Sequence, residues 1–442
     1  MNQVASQGDG AFTLTNARLV DGTGAPPREP VTIGIDGGRI AHVSDGPGGD
    51  GAVDLGGRTV LPGLIDAHIH LSSDVARSPG FGPPGELKGE APRPRELGWF
   101  VMAQTAAALL ASGITTVRDV GSFDDEAIVL KRGVELGLVE GPRILSCGRI
   151  LSATAPGGRI FGTMYREADG PWEMRAAVRE QISRGADFIK LMSTGARSVA
   201  LEDPEPAQMT SEEVAAIVDE AHRMGFRVAS HVEGLPGARL SVEHGVDTIE
   251  HGLSLHRAPE LLDQMAQRGI VLVPTLTTFH DLAERFADDW VPALVDQAKR
   301  QQEEAHATLS AARAAGVTLA MGYDSGPPGA SALELVRMVE AGLTPMEGVV
   351  AATAGSARAL GLEDEIGTLA PGMAADIAVV DGDPLADPQL LADSERFWLV
   401  IRGGGAVAGT AMAPLPPAGL ELPARRASAG SISSPCTIDG MR

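Results

Sequence analysis

The chain has 442 residues, enough for one large domain or a large one with a small companion. Its net charge of −22 argues against nucleic-acid or anionic-membrane partners, since both need basic patches. The two cysteines, Cys147 and Cys436, are far apart and do not support a disulfide framework, and no apolar run reaches the ~20 residues of a membrane helix.

The N-terminal stretch MNQVASQGDGAFTL lacks a basic segment followed by an apolar core, so no secretory signal is expected and the default setting is cytoplasmic. The next stretches read as short strands joined by Gly-rich turns: FTLTNARLV, VTIGIDGGRIAHV and AVDLGGRTV. Asp-Gly-Gly between the alternating runs of the second marks a hairpin. A similar series, GTLAPGMAADIAVVDG and FWLVIRGGGAVA, stands near the other end. One small β-sandwich domain assembled from residues 1–60 and 363–411 is the economical reading. Residues 412–442, rich in Pro, Ala, Ser and Gly, are expected to be a disordered tail.

The middle, residues 61–362, alternates short apolar runs with amphipathic stretches. Strand candidates are Val60–Ile65, Ile114–Val120, Arg143–Cys147, Phe188–Met192, Arg227–Ser230, Thr248–Glu250, Val271–Pro274 and Thr318–Gly322. Helix candidates lie between them. TSEEVAAIVDEAHRMG shows the signals together: a Ser/Thr cap, acidic residues in the first turn and a Gly stop. Eight βα units fit an α/β fold of the TIM (β/α)8 barrel type. A doubly wound open sheet also alternates, and the placement of polar residues separates the two.

In a TIM barrel, chemistry sits at the C-terminal strand ends. Strand one closes on DAHIH, with His68 and His70 two residues apart and so on one side of a strand. Strand four carries Lys190 inside its apolar run. Strands five, six and eight close on His231, His251 and Asp324. A lone strand-end histidine is more often a satisfied polar group than a ligand, and Asp324 alone reads as an Asx turn. Together the set is the inventory of a two-metal hydrolytic site. A protonated Lys190 among these groups would be repelled and desolvated, so its amine should be available neutral, the form that adds carbon dioxide to give a carbamate. Two divalent cations (+4), the carbamate, Asp324 and a hydroxide leave about +1, which suits an oxyanion. The bland alternative for Lys190 is a snorkelling or salt-bridged lysine.

The segments VLPGLIDAHIHL, GITTVRDVG, ADFIKLMSTGA, ASHVEG, DTIEHG, VLVPTLTTF, MGYDSG and AATAGSARALGLEDEIGTLAPGMAADIAVVDGDPL together resemble the amidohydrolase superfamily. Within it they are similar to the imidazolonepropionase-like group that includes zinc-dependent Xaa-Pro dipeptidases, related carboxypeptidases and ochratoxin-hydrolysing amidases. The resemblance implies that His68, His70 and Asp324 bind the more buried metal, His231 and His251 the second, and N-carboxylated Lys190 bridges them. It implies two divalent ions, zinc first, with manganese, cobalt and iron as alternatives. It also implies a hydroxide held between the metals, with Asp324 as general base and then acid to the leaving nitrogen. The expected activity is hydrolysis of an amide or peptide-type C–N bond in a small molecule: a dipeptide, N-acyl amino acid or carbamate. Alternatives are a lactonase or ester hydrolase on the same site, or a non-catalytic barrel scaffold. Relatives suggest a homo-oligomer.

Two departures matter. True imidazolonepropionases use one metal and lack the bridging lysine, so Lys190 argues against that activity. Peptidase members often carry a TGGHG-like segment after strand three, where this chain has ATAPGGRIFGTMY. Arg159 or Tyr165 is the candidate there for contacting a substrate carboxylate or carbonyl, and Arg197 in STGARSV is a second candidate for an anionic group. The segment TTFHDLAERFADDWVPALV is a candidate lid through Phe279, His280 and Trp290, or else a helix packed on the barrel. MYREADGPW is pocket wall or barrel-edge packing.

Overall fold

The computed structural model describes residues 10–72, 97–196, 202–285, 287, 292–326 and 329–412. Arg197, Trp290 and the expected tail beyond residue 412 lie outside the described residues. Among the described residues no helix is long and apolar enough to cross a membrane.

Both ends of the described chain build one sheet. Antiparallel pairing joins Phe12–Leu19, Arg28–Asp36 and Arg39–Asp45. Thr59–Pro62 then pairs with Ile377–Val380, which pairs with Phe397–Arg402 and through it with Gly405–Ala408. The inner strands are apolar on both faces: Ile33, Val60, Ile377 and Ile401 fill the sheet's own core, while Leu61, Ala378, Val380 and Val400 on the other face join a core with the barrel residues Leu64 and Val117.

The middle is the barrel. Strand one is Leu64–Ile69, strand two Ile114–Asp119, strand four Ile189–Met192, strand five Val228–Val232, strand six Thr248–His251 and strand seven Val271–Val273. Strand three comes in two pieces, Arg143–Ser146 and Ile150–Ser152. All pairings between these strands are parallel. The Asp187 N–H donates to the Ser146 carbonyl at 2.8 Å and ties the first three strands to strand four. The eighth position is an extended segment rather than a regular strand. Its Ala320 N–H reaches the Leu272 carbonyl at 2.9 Å, while Ala67 N–H reaches Met321 and Asp324 N–H reaches His68. These bonds bring the ring back to strand one.

Helices follow the strands for local reasons. Ser211–Arg223 begins at a complete capping box between Thr210 and Glu213. Pro171–Arg184, Leu235–His244 and Pro259–Arg268 each open with a proline in the first turn and stop at a left-handed glycine.

One sequence expectation needs correcting. Val60–Ile65 is not one strand. The chain switches sheets at Gly63, whose N–H goes to the Asp376 carbonyl while Leu64 goes to Gly113. A Cβ at Gly63 would lie 2.2 Å from Thr115 Oγ1, so the crossing passes too close for a side chain.

Candidate active site

His68 is 1 % exposed at the end of strand one. Its Nδ1 lies 2.7 Å from a Glu250 carboxylate oxygen, so Nδ1 carries the proton and Nε2 offers its lone pair. His70 repeats the device, with Nδ1 donating to the Gly121 carbonyl at 2.7 Å. Both Nε2 atoms stand 3.6 Å from the same Asp324 oxygen. His251 completes a group with His68 and Asp324 whose ligand atoms all lie within 4.8 Å of one another. Its Nδ1 meets the Thr275 hydroxyl at 2.7 Å. His231 packs edge-on against His251 at 4.6 Å, with its Nε2 turned 3.2 Å from the Gly195 carbonyl and from Glu233.

Lys190 lines the same pocket, is 2 % exposed, and its Nζ has no hydrogen-bond partner among the described residues. A buried ammonium without a partner is costly. Burial brings the Lys190 amine down to about 8 and pushes the Asp324 carboxyl up to about 8. Burial also takes His70 to about 4, and His68 well below its ordinary value with Lys190 adding to the effect. The imidazoles of His68 and His70 are therefore neutral donors. Neutral histidines, a desolvated carboxylate and a buried amine are a donor set that fits divalent cations, whose charge would favour the ionised carboxylate.

Three of these strand ends have unusual backbones. His251, Thr275 and Asp324 have φ of 66°, 48° and 43°, the left-handed region that non-glycine residues avoid. This turns each side chain off its strand axis, and such outliers cluster where a site over-determines them.

A buried ion pair stands behind the histidines. Glu250 is fully buried and takes Arg118 Nη2 at 2.8 Å on the oxygen not used by His68. Arg118 also donates from Nε to the Ala67 carbonyl at 2.6 Å. Thr248 lies between the two, accepting from Arg118 and donating to Glu250. Sequence reasoning missed both charged residues. The signal was present, because Arg118 in ITTVRDV is a charge inside a buried strand, as Lys190 is.

The pocket encloses about 700 Å³ including its open mouth. Ile150, Phe161, Met164, Met192, Phe279 and Leu282 give it an apolar wall. Tyr165 lines it and stacks on Phe161 at 4.8 Å. The MYREADGPW segment therefore contributes pocket wall. Arg159 is exposed on the short helix Gly157–Phe161 and is not a lining residue. His280 is not one either. It turns away to His306, with Nε2 atoms 3.0 Å apart, while its neighbours Thr278 and Phe279 face the pocket.

A closed ring of parallel strands with histidines, an aspartate and a lysine at its mouth is the build of a barrel hydrolase. Residues 59–407 match the amidohydrolase family, and the chain belongs to that family, as a hydrolase of C–N bonds. It is 31 % identical over 383 residues to ochratoxinase of Aspergillus niger, covering 80 % of this chain and 77 % of that protein. The crystal structure of A. niger ochratoxinase superposes with a TM-score of 0.79 at 26 % identity, over 92 % of this chain and 98 % of that one. A Xaa-Pro dipeptidase with methionine bound in its active site superposes with a TM-score of 0.81 at 29 % identity, over 90 % of this chain and 99 % of that one.

Proposed function

We propose that this chain is a binuclear metal-dependent amidohydrolase acting on a small peptide-type substrate, a dipeptide or N-acyl amino acid with an aromatic or bulky apolar side chain. The observation that carries the reading is the convergence of His68 and His70 Nε2 on Asp324 in the pocket that also holds the buried Lys190 amine. His68, His70 and Asp324 would hold one cation, His231 and His251 the other, with N-carboxylated Lys190 between them. Zinc suits imidazole ligands with one carboxylate. Bound there, the cations would supply Lewis acidity and ease ionisation of the attacking water.

The chain's own residues do the rest. Glu250 and the Gly121 carbonyl fix the tautomers of His68 and His70, so that both present lone pairs. Lys190, depressed to about 8, has the neutral fraction that adds carbon dioxide and releases a proton. Asp324 takes the proton of the attacking water and returns it to the leaving nitrogen as the C–N bond breaks. The apolar wall seats the side chain next to the scissile bond and keeps bulk water away. The likeness to a Xaa-Pro dipeptidase with methionine in its active site supports a bond to an amino acid.

The test is elemental analysis of protein purified without chelators, with hydrolysis assays on N-acyl phenylalanines and dipeptides. About two divalent metals per chain and turnover are expected. About one metal would sink the binuclear mechanism. No metal, and no turnover after adding zinc or manganese, would sink the whole reading.

A further inference from the structure

Glu334, near the start of helix Leu333–Glu340, is fully buried and has no part in the reaction proposed above. Its carboxylate reaches a segment 57 residues earlier in the chain. Oε1 accepts the Leu276 N–H at 2.8 Å, and Oε2 accepts both the Thr277 N–H and the Thr277 hydroxyl at 2.7 Å. Those two N–H groups open helix Leu276–His280. Groups in this position have no partner inside a helix, and the side chain of the preceding residue ordinarily helps to cap them.

The preceding residue is Thr275, and two other helices show what a threonine does there. Thr210 and Thr344 each accept the N–H of a glutamate three residues on, and that glutamate answers in turn. Thr275 caps nothing in its own helix. Its backbone is left-handed, with φ of 48°, and its hydroxyl stands 2.7 Å from His251 Nδ1. The hydroxyl thus serves the histidine, and Glu334 does the capping from another helix. With Nδ1 engaged, Nε2 is the His251 nitrogen left for a cation, and Nδ1 must hold the proton for Nε2 to offer a lone pair. Leu276 and Thr277 are both fully buried. Without Glu334 their N–H groups would lack an acceptor, at a cost that Thr275 could relieve by leaving the left-handed region and capping the helix itself. His251 would then lose its partner.

We propose that Glu334 is a positioning residue for the second cation: by capping helix Leu276–His280 from outside, it releases the Thr275 hydroxyl to orient His251. The proposal rests on the two-cation reading above and deepens it. Glu250 supports His68 directly, and Glu334 supports His251 through one intervening residue.

The test begins with nuclear magnetic resonance of metal-free protein carrying isotope-labelled histidine. Ring nitrogen shifts report which nitrogen of an imidazole holds the proton, and His251→Gln identifies the signals of that residue. Wild-type His251 should hold its proton on Nδ1. Glu334→Gln, and Glu334→Asp with the charge kept one methylene short, should spread it over both nitrogens, as Thr275→Val should. Thr275→Ser keeps the hydroxyl and should restore the wild-type pattern. Zinc titration against a chelator then reads the consequence. Both Glu334 variants should bind the second zinc about 10–100-fold more weakly and the first as before. Adding Glu334→Gln to Thr275→Val should cost no more than Thr275→Val alone, since both break one linkage. Melting temperatures confirm that the variants fold. A His251 proton that stays on Nδ1 in folded Glu334 variants, or additive losses in the double variant, would overturn the proposal. A wild type that binds one zinc would remove the two-cation reading, and the ring nitrogens would still decide whether Glu334 sets His251.

Discussion

Replacing Glu250 by glutamine tests how the site is held together. The carboxylate accepts from His68 Nδ1 at 2.7 Å and from Arg118 Nη2 at 2.8 Å, with no exposure to water. A glutamine fills the same space but has one oxygen and one NH2. Arg118 can only donate, so it takes the oxygen. The NH2 then faces His68 Nδ1, which must accept. The proton of His68 moves to Nε2, and the lone pair aimed toward Asp324 is lost. Metal affinity should fall by about 10–100-fold. Arg118 also loses its buried counter-charge, at roughly 3–5 kcal/mol. With about 2.1 cal/mol/K per residue over the 442-residue chain, that corresponds to a melting point lower by about 4 °C. The assay is zinc competition against a chelator of known affinity, alongside a thermal melt. Thr248→Val is the control, because it removes a neutral hydroxyl from the same network and leaves the tautomer alone. Wild-type zinc affinity in Glu250→Gln would refute the tautomer argument.

Other perturbations read different parts of the molecule. Asp324→Asn should lower kcat by about 10²–10⁴-fold or more with an unchanged circular dichroism spectrum, and near-wild-type turnover would sink its role as proton carrier. Lys190→Ala should reduce bound metal and activity, and short carboxylic acids should restore part of the activity by standing in for the carbamate; a fully active variant would remove the bridge. Outside the site, Glu220 lies under three guanidiniums, Arg179 at 2.7 Å foremost, with Arg175 and Arg223 beside it, and they hold its carboxyl down at about 2. A depressed carboxyl stabilises the fold above its unfolded pKa near 4.3, and that contribution disappears as pH falls toward 2. Because Arg179 and Arg223 are largely exposed, screening limits it to about 1–2 kcal/mol. Glu220→Gln should therefore cost stability at pH 7 and little at pH 2 in denaturant titrations, and an equal cost at both would contradict the assignment.

Much of this site was legible because barrel chemistry collects at strand ends. His68, His70, His231, His251 and Asp324 each close an apolar run, and Lys190 interrupts one. What escaped falls into two kinds. Arg118 and Glu250 sit within buried strands, where the sequence does not say that two charges on strands two and six meet. Their 132-residue separation is bridged only by closing the barrel. The turn at Gly63 escaped for a different reason. Val60 through Ile65 is one apolar run, and periodicity does not tell which of two sheets each half joins. The segment 277–295 was open between a lid and a helix packed on the barrel. Thr278 and Phe279 face the pocket, but the aromatic signal did not reveal that His280 pairs with His306 on the next helix.

The left-handed conformations of His251, Thr275 and Asp324 place a limit on engineering. Each residue pays roughly 1–2 kcal/mol for a backbone that glycine would adopt freely. A selection for heat tolerance alone would therefore favour glycine at these three positions, and each such gain would remove His251 or Asp324 from the pocket or the Thr275 hydroxyl that meets His251 Nδ1. Lineages under this pressure should reach a chain that melts later and does less. Useful stabilisation has to be sought elsewhere, at helix capping positions and exposed loops away from the pocket.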